Sequence, residues 1–334
     1  MQLTPKNFAD TGNGMLDSKA SIRMNTRKFF TKYGIVVALC LIVTVLSIIS
    51  PAFLDISNIL NVLRQISING FLAIGVTFVI LTGGIDLSVG AIVAFAGVVA
   101  ASVAKTPGNP TILAIGIGLL AGLMLGLING LVIAKWNMAP FIVTLGMMSA
   151  ARGLTFVYSD GRPIPGLSEG FLRFGAGYIL GIPTPVVFLM VVYIIGTIIL
   201  YRTKLGRYIY AVGGNELAAI ISGLKVRRIK VAVYAISGLL AGLAGVVLTS
   251  RVTSGLPQAG QSYELDAIAA VVIGGTSLSG GKGKLWGTVV GFLLIGVINN
   301  GLDLLNVSSF YQLIVKGLII VIAVMIDTEA NKIN

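Results

Sequence analysis

The sequence predicts an all-α polytopic membrane protein of about ten transmembrane helices, and three observations carry that reading. First, 56% of the 334 residues are hydrophobic and 11% are charged, whereas a soluble domain carries roughly 25% charge. Second, apolar runs of spanning length recur along the chain. Third, Lys and Arg segregate to alternate connections between those runs. High hydrophobicity also excludes intrinsic disorder.

A helix needs ~20 mostly apolar residues to cross ~30 Å of hydrocarbon. Ten runs qualify: 34–50, 62–82, 88–104, 111–134, 141–157, 185–200, 230–250, 265–279, 285–304 and 309–326. The eighth is short and contains Gly274-Gly275. The second and third are separated only by Gly83-Gly84-Ile85-Asp86-Leu87. With the N-terminus in the cytoplasm, 17 basic residues fall in inside segments and 5, including Arg64, in outside segments. The positive-inside rule then predicts N-in and C-in, hence an even number of spans. Residues 1–33 form a cytoplasmic tail without the apolar core and cleavage site of a removable signal peptide. The transmembrane domain covers 34–328, and 329–334 form a cytoplasmic tail.

The net charge of +12 therefore reports orientation and not a nucleic-acid partner. No His is present, which removes His-dependent triads and His metal sites, and the lone Cys40 cannot form an intrachain disulfide. Gly280-Gly281-Lys282-Gly283-Lys284 is not a phosphate-binding loop. Neither Gly-Lys pair has Gly five residues earlier, and Leu285 follows Lys284 where Ser or Thr is needed. No enzyme acting alone is indicated, and no metal site or cofactor within the chain.

Small residues recur every four positions in the fourth run: Ala114, Gly118, Gly122, Gly126 and Gly130. Gly238, Gly242 and Gly245 do so in the seventh. Such faces let helix backbones approach closely, within one subunit or across a dimer. An internal similarity links Gly126-Leu-Ile-Asn-Gly-Leu131 to Gly296-Val-Ile-Asn-Asn-Gly-Leu302, with Asn137 preceding Phe141 as Asn306 precedes Phe310. The shift is five spans. Five is odd, so the copies face opposite sides of the membrane, giving two inverted five-helix repeats.

Several polar residues need explanation in so apolar a chain. Asp86 and Ser88 either cap the third helix by accepting its free N–H groups or line a polar cavity at a broken span. Asn129, Asn299 and Asn300 either tie helices together or hydrogen-bond a hydroxylated substrate. Arg152, Asp266, Asp303 and Lys316 lie toward the outer ends of spans, where charge is expected to be paired. Between spans, Gly213-Gly214-Asn215 makes a turn. Asn215 caps a short helix, Glu216 suits its first turn, and Gly223 ends it. That helix is either an anchored loop or a docking element. The longest outer loop, 158–184, carries Asp160, Arg162, Glu169 and Arg173.

The stretches Arg207-Tyr-Ile-Tyr-Ala-Val-Gly-Gly-Asn-Glu216 and Tyr263-Glu-Leu-Asp-Ala-Ile-Ala-Ala-Val-Val-Ile-Gly-Gly-Thr-Ser-Leu-Ser-Gly-Gly-Lys-Gly283 resemble ribose-type permeases of bacterial ABC sugar importers. So do Ile80-Leu-Thr-Gly-Gly-Ile-Asp-Leu-Ser-Val-Gly90, Ile298-Asn-Asn-Gly-Leu302 and Val307-Ser-Ser-Phe-Tyr-Gln-Leu-Ile-Val-Lys316. The resemblance covers residues 34–328. It implies a vitamin-importer-like permease domain in a bacterial inner membrane, working as a homodimer. It implies a cytoplasmic ABC ATPase that binds the Mg-ATP, and a periplasmic sugar-binding protein. Segment 201–230 then holds the coupling helix, with Gly213, Gly214, Asn215, Glu216, Ala218, Ala219 and Gly223 facing the ATPase. The family pattern has Glu-Ala-Ala followed by Gly; here Leu217 intervenes and Gly223 falls one position later. Asp86, Ser88, Asn129, Asn299 and Asn300 are expected along the translocation pathway, and Asp160, Arg162, Glu169, Arg173 and Arg251 at the binding-protein surface. The expected cargo is a monosaccharide, ribose first, with xylose, galactose and allose as alternatives. A different class, an ion-coupled secondary transporter, would use an intramembrane carboxylate such as Asp86.

Overall fold

The computed structural model describes residues 34–332; the tail over 1–33 and the last two residues of the C-terminal tail lie outside the described residues. Helices dominate: α1 (Gly34–Ile49), α2 (Ile56–Leu81), α3 (Val89–Lys105), α4 (Thr111–Trp136), α5 (Pro140–Ser159) and α6 (Glu169–Ala176). A two-residue hairpin, β1 (Tyr178–Ile179) with β2 (Ile182–Pro183), leads to α7 (Thr184–Arg202), α8 (Lys204–Gly214) and α9 (Glu216–Ile221). Then follow α10 (Val226–Arg251), α11 (Tyr263–Ile273), α12 (Leu285–Leu304) and α13 (Ser309–Lys332). Among the described residues six helices are long and apolar enough to cross a membrane: α2, α4, α5, α7, α10 and α12. The remaining four apolar runs form α1, α3, α13 and, only as far as Ile273, α11.

Two boundaries move in ways that matter. The second helix starts at Ile56, ahead of the expected 62, so Arg64, counted with the outside segments, does not border a loop. It lies inside α2, bonded to the Tyr178 hydroxyl with the ring 4.9 Å from its guanidinium carbon. The eighth span is helical only to Ile273. Gly275, Gly280 and Gly281 take positive φ values of 84°, 84° and 69°, which ends the helix and returns the chain toward α12. The expected tail at 329 is also helical, because α13 continues through Lys332.

Helix α2 is the axle. From Ile66 to Leu81 every residue is buried, and α7, α10, α11 and α12 pack around it. A stretch apolar on nearly all sides is satisfied by such a protein interior as well as by lipid, and α2 takes the interior. The heaviest packing joins α4 to α10. A Cβ on Gly122 would strike the Gly238 carbonyl, one on Gly238 would strike the Gly122 carbonyl, and Gly130 lies against Val231. The two glycine faces seen in the sequence thus meet each other within one chain.

The packing pairs also recur. Helix α4 lies on α10 as α12 lies on α2; α3 touches α4 and α5 as α11 touches α12 and α13. Asn137 and Asn306, matched by sequence, are both left-handed (φ 51° and 55°) and turn α4 into α5 and α12 into α13. Asn tolerates this conformation better than other non-Gly residues.

A Gly122→Leu substitution should cost about 2 kcal/mol or more through overpacking at this crossing. Gly116→Leu, where a side chain meets open space, should be near neutral. Thermal unfolding of the two variants in detergent measures the contrast.

Candidate translocation and coupling site

The chain leaves α2 at Leu81, where Gly83 (φ 77°) closes the helix, and runs through residues 82–88 before α3 begins. Asp86 is fully buried in that break. Its Oδ1 accepts the Ser88 N–H at 3.0 Å and the Ser88 hydroxyl at 2.6 Å, and its Oδ2 accepts the Ser237 hydroxyl of α10 at 2.8 Å. The Asn129 amide of α4 donates to Ser88 Oγ at 2.9 Å, and the Tyr234 hydroxyl donates to the Ile85 carbonyl at 3.1 Å. Asp86, Ser88 and Asn129 therefore do come together. The cap differs from expectation: Asp86 serves the Ser88 N–H, and the Ser88 side chain caps no helical N–H. Ser237 and Tyr234 were missed. Ser237 adjoins Gly238 in the small-residue face, the one signal that could have pointed to it.

A second broken segment, residues 252–262, runs back along α3. Gly255 lies beside Val98 and Ala101, and Gly260 lies against Gly90 and Val93. Helix α11 therefore begins beside the start of α3, with Glu264 packed on Gly90. Two helix N-termini meet inside the protein, and Asp86, Glu264 and Asp266 are placed where their positive ends favour negative charge. Arg152 of α5 donates to the carbonyls of Pro257 (3.0 Å) and Ala259 (2.7 Å), holding the descending segment.

Asp266, 3% exposed, pairs with Lys316 of α13 at 2.8 Å, and the Asn299 amide lies beside the same carboxylate. Of the four charges expected to pair, Asp266 and Lys316 pair with each other, whereas Arg152 is met by carbonyls and Asp303 by an amide. Asp303, for its part, accepts from Gln312 at 2.8 Å. Asn129 and Asn299, equivalent in the internal similarity, each lie at a polar cluster near the start of a helix that follows a break, Asn129 on the Ser88 hydroxyl and Asn299 beside Asp266. Each also leaves its Oδ1 buried and unpartnered. Asn300 is separate: it exchanges two amide hydrogen bonds with Asn58, at 2.8 and 3.1 Å.

The connection between α7 and α10 holds two helices, where the sequence pointed to one. Residues 204–214 form α8, capped by Thr203 Oγ1 on the Gly206 N–H, so Gly213 and Gly214 end a helix and the bend falls at Asn215. The Asn215 side chain accepts the Ala218 N–H at 2.9 Å and starts α9, and Gly223 (φ 81°) ends the turn that follows. Glu216 pairs with Lys230 at 2.7 Å. Ala219 is buried beneath α9, while Leu217, Ile220 and Ile221 stand exposed.

The α8–α9 elbow is tied to the first break and to the turn before α12. Gly213 presses on the Leu81 carbonyl so closely that no Cβ fits, whereas Gly214 has open space. The Gly281 N–H donates to that same carbonyl at 3.0 Å, and the Tyr210 hydroxyl donates to the Gly283 carbonyl at 2.8 Å. Burial, together with the neighbouring Tyr201, pushes the Tyr210 phenol above its usual range, so it stays a donor.

At the opposite end, Asp160–Arg162 (3.9 Å) and Glu169–Arg173 (3.6 Å) are exposed local pairs on the 158–184 loop, which folds into α6 and the hairpin. Arg251 is half-buried at the end of α10, apart from that exposed set. Ile164 exchanges backbone hydrogen bonds with Gly255 (2.9 and 3.0 Å), joining this loop to the second break.

A helical body with buried polar breaks, linked at each end to a surface element, is built for transport. Residues 58–324 match the family model described as branched-chain amino acid transport system / permease component, and the chain belongs to that permease family. It is 56% identical over 302 residues to the ribose import permease protein RbsC of Bacillus subtilis (strain 168), covering 90% of this chain and 94% of that protein. To RbsC of Escherichia coli (strain K12) it is 47% identical over 312 residues, covering 91% and 97%. To the D-allose transport system permease protein AlsC of the same strain it is 43% identical over 309 residues, covering 92% and 95%. No solved structure matches the chain.

Replacing Lys316 with Met should destabilise the protein by ~3–5 kcal/mol, because it strands a buried carboxylate. Adding Asp266→Asn should recover most of that loss, as a double-mutant cycle in thermal unfolding would register.

Proposed function

We propose that this chain is the membrane-spanning subunit of an ABC importer that carries ribose inward across a bacterial inner membrane. It works as a homodimer, with Mg-ATP bound by a separate cytoplasmic ATPase and sugar delivered by a periplasmic binding protein. Identities of 47–56% to ribose import permeases support the cargo, against 43% to the allose permease. The recurring pairs of packed helices and the matched left-handed Asn137 and Asn306 support ten helices in two inverted repeats. Seven basic residues in segment 201–230 support placing the α9 end in the cytoplasm.

One observation carries the mechanism: the contact of Gly213 and Gly281 with the Leu81 carbonyl. The ATPase seats on α9 through Leu217, Ile220 and Ile221, with Gly213, Gly214, Asn215, Glu216, Ala218, Ala219 and Gly223 shaping that element. Its movement shifts the elbow, which bears at once on the end of α2 and on the turn before α12. Those segments lead to the Asp86–Ser88–Asn129 and Asp266–Asn299 clusters, which rearrange as the inner and outer gates of alternating access. On the other side, the binding protein rests on Asp160, Arg162, Glu169 and Arg173, and Ile164–Gly255 relays its docking to the second break. Arg251 supports that surface from beneath. Asn300, bonded to Asn58, holds α12 against α2 beside the pathway. Asp86 is engaged by serines on both oxygens, an arrangement that favours a gate over an ion-coupling carboxylate.

The test is uptake of labelled ribose into vesicles holding the permease, its ATPase and the sugar-loaded binding protein. Uptake should require ATP and fail with an ion gradient alone. Glu216→Gln removes a part-exposed ion pair worth ~1 kcal/mol or less to the fold. It should nonetheless lower binding-protein-stimulated ATP hydrolysis and ribose uptake by roughly 10-fold. Gly213→Ala should uncouple hydrolysis from uptake, and Gly214→Ala should do so far less. Full coupling in Gly213→Ala would overturn the relay.

A further inference from the structure

At the α9 end, α4 and α10 part company. They touch where Gly130 meets Val231, and beyond that crossing a groove of 470 Å³ opens between them. Its apolar wall is Leu131, Ala134 and Val231, residues that continue the spanning helices. Its polar rim is Lys135, Arg227 and Arg228, all exposed. Among the described residues the ion pairs engage Arg162, Arg173, Lys230 and Lys316, so none of the three rim cations has an acidic partner. The adjoining 820 Å³ cavity adds Lys225, and the one carboxylate on its lining, Glu216, is already held by Lys230. Trp136, exposed at the end of α4 with Lys135 Nζ 4.8 Å from its ring, marks the headgroup level.

Three unpaired cations above a hydrocarbon wall call for an occupant that is anionic at one end and apolar at the other. An acidic peptide would satisfy the rim and leave Leu131 and Val231 uncovered; a neutral lipid would do the reverse. We propose that this groove binds an anionic phospholipid, with its phosphate among Lys135, Arg227 and Arg228 and its acyl chain along Leu131 and Val231. Basic pockets between membrane helices on the cytoplasmic side, where the leaflet is itself negative, suit such lipids. The site rests on the cytoplasmic placement of the α9 end. It would put a lipid beside Glu216–Lys230, next to the element read as the coupling helix.

The test uses purified permease in phosphatidylcholine nanodiscs doped with phosphatidylglycerol, with lipid retention read by native mass spectrometry. Wild type should retain phosphatidylglycerol over phosphatidylcholine. Each of Lys135→Gln, Arg227→Gln and Arg228→Gln should weaken that preference roughly 5-fold, and all three together roughly 100-fold. Lys282→Gln with Lys284→Gln, in the other basic turn, should leave it intact. Equal retention by the triple variant overturns the site, as does equal loss in the Lys282/Lys284 control. Displacement by inorganic phosphate without preference for the lipid makes it a soluble-anion site and also overturns the proposal. Lipid binding is measured without transport, so failed ribose uptake with intact lipid selectivity removes the transport reading and leaves the lipid site standing.

Discussion

Everything in this structure follows from interrupting a helix where no water can reach the backbone. An interrupted span exposes N–H and C=O groups, and inside a membrane protein those must find partners in the protein itself. Residues 82–88 solve this with Asp86, whose two oxygens gather Ser88 and Ser237, and with Tyr234 on the Ile85 carbonyl. Residues 252–262 solve it with Arg152 on two carbonyls and with the Ile164–Gly255 backbone pair. Asp86, Ser88, Asn129 and Ser237, four of the buried polar residues, gather at the first of those two places.

The rest of the fold keeps these breaks buried. Close approach of α4 and α10 through Gly122 and Gly238 brings Asn129 and Ser237 to the same carboxylate network from two helices. A looser crossing would place them too far apart. The all-buried half of α2 ends at Leu81, itself buried, where one carbonyl receives both the α8–α9 elbow and the turn before α12. The elbow, the turn before α12 and the first break thus meet through close backbone contacts around the Leu81 carbonyl. Packed interfaces of this kind shift between discrete arrangements and do not deform continuously.

The two halves are alike in plan but not in chemistry. Asp86 is satisfied by hydroxyls; Asp266 is satisfied by the Lys316 cation. Hydroxyl hydrogen bonds can be exchanged for those of water or a sugar at little cost, whereas parting a buried ion pair is expensive. The cluster near the α8–α9 elbow is therefore the one held without an ion pair.

Much of this was legible in the sequence because it depends on local pattern. Apolar runs placed the helices, since span length is set by hydrocarbon thickness. Gly at every fourth position exposed the two faces that meet. Asn215, Glu216 and Gly223 disclosed α9, because capping acts over three or four residues. The repeat showed in Gly126–Leu131 and Gly296–Leu302, and the backbone at Asn137 and Asn306 agrees with it. What the sequence could not decide was who meets whom. Helix α8 was hidden by Gly213-Gly214, a pair that reads as a turn but is helical; Gly stands at 213 because the Leu81 carbonyl leaves no room for a side chain. Ser237 with Asp86, Lys316 with Asp266 and Gly281 with Leu81 join residues 50 to 200 positions apart. Such pairings are chosen by how the helices pack, which no local spacing encodes. The sequence by itself determined the helices, their breaks and the residues able to serve them; only the tertiary structure decided which of those residues share a site.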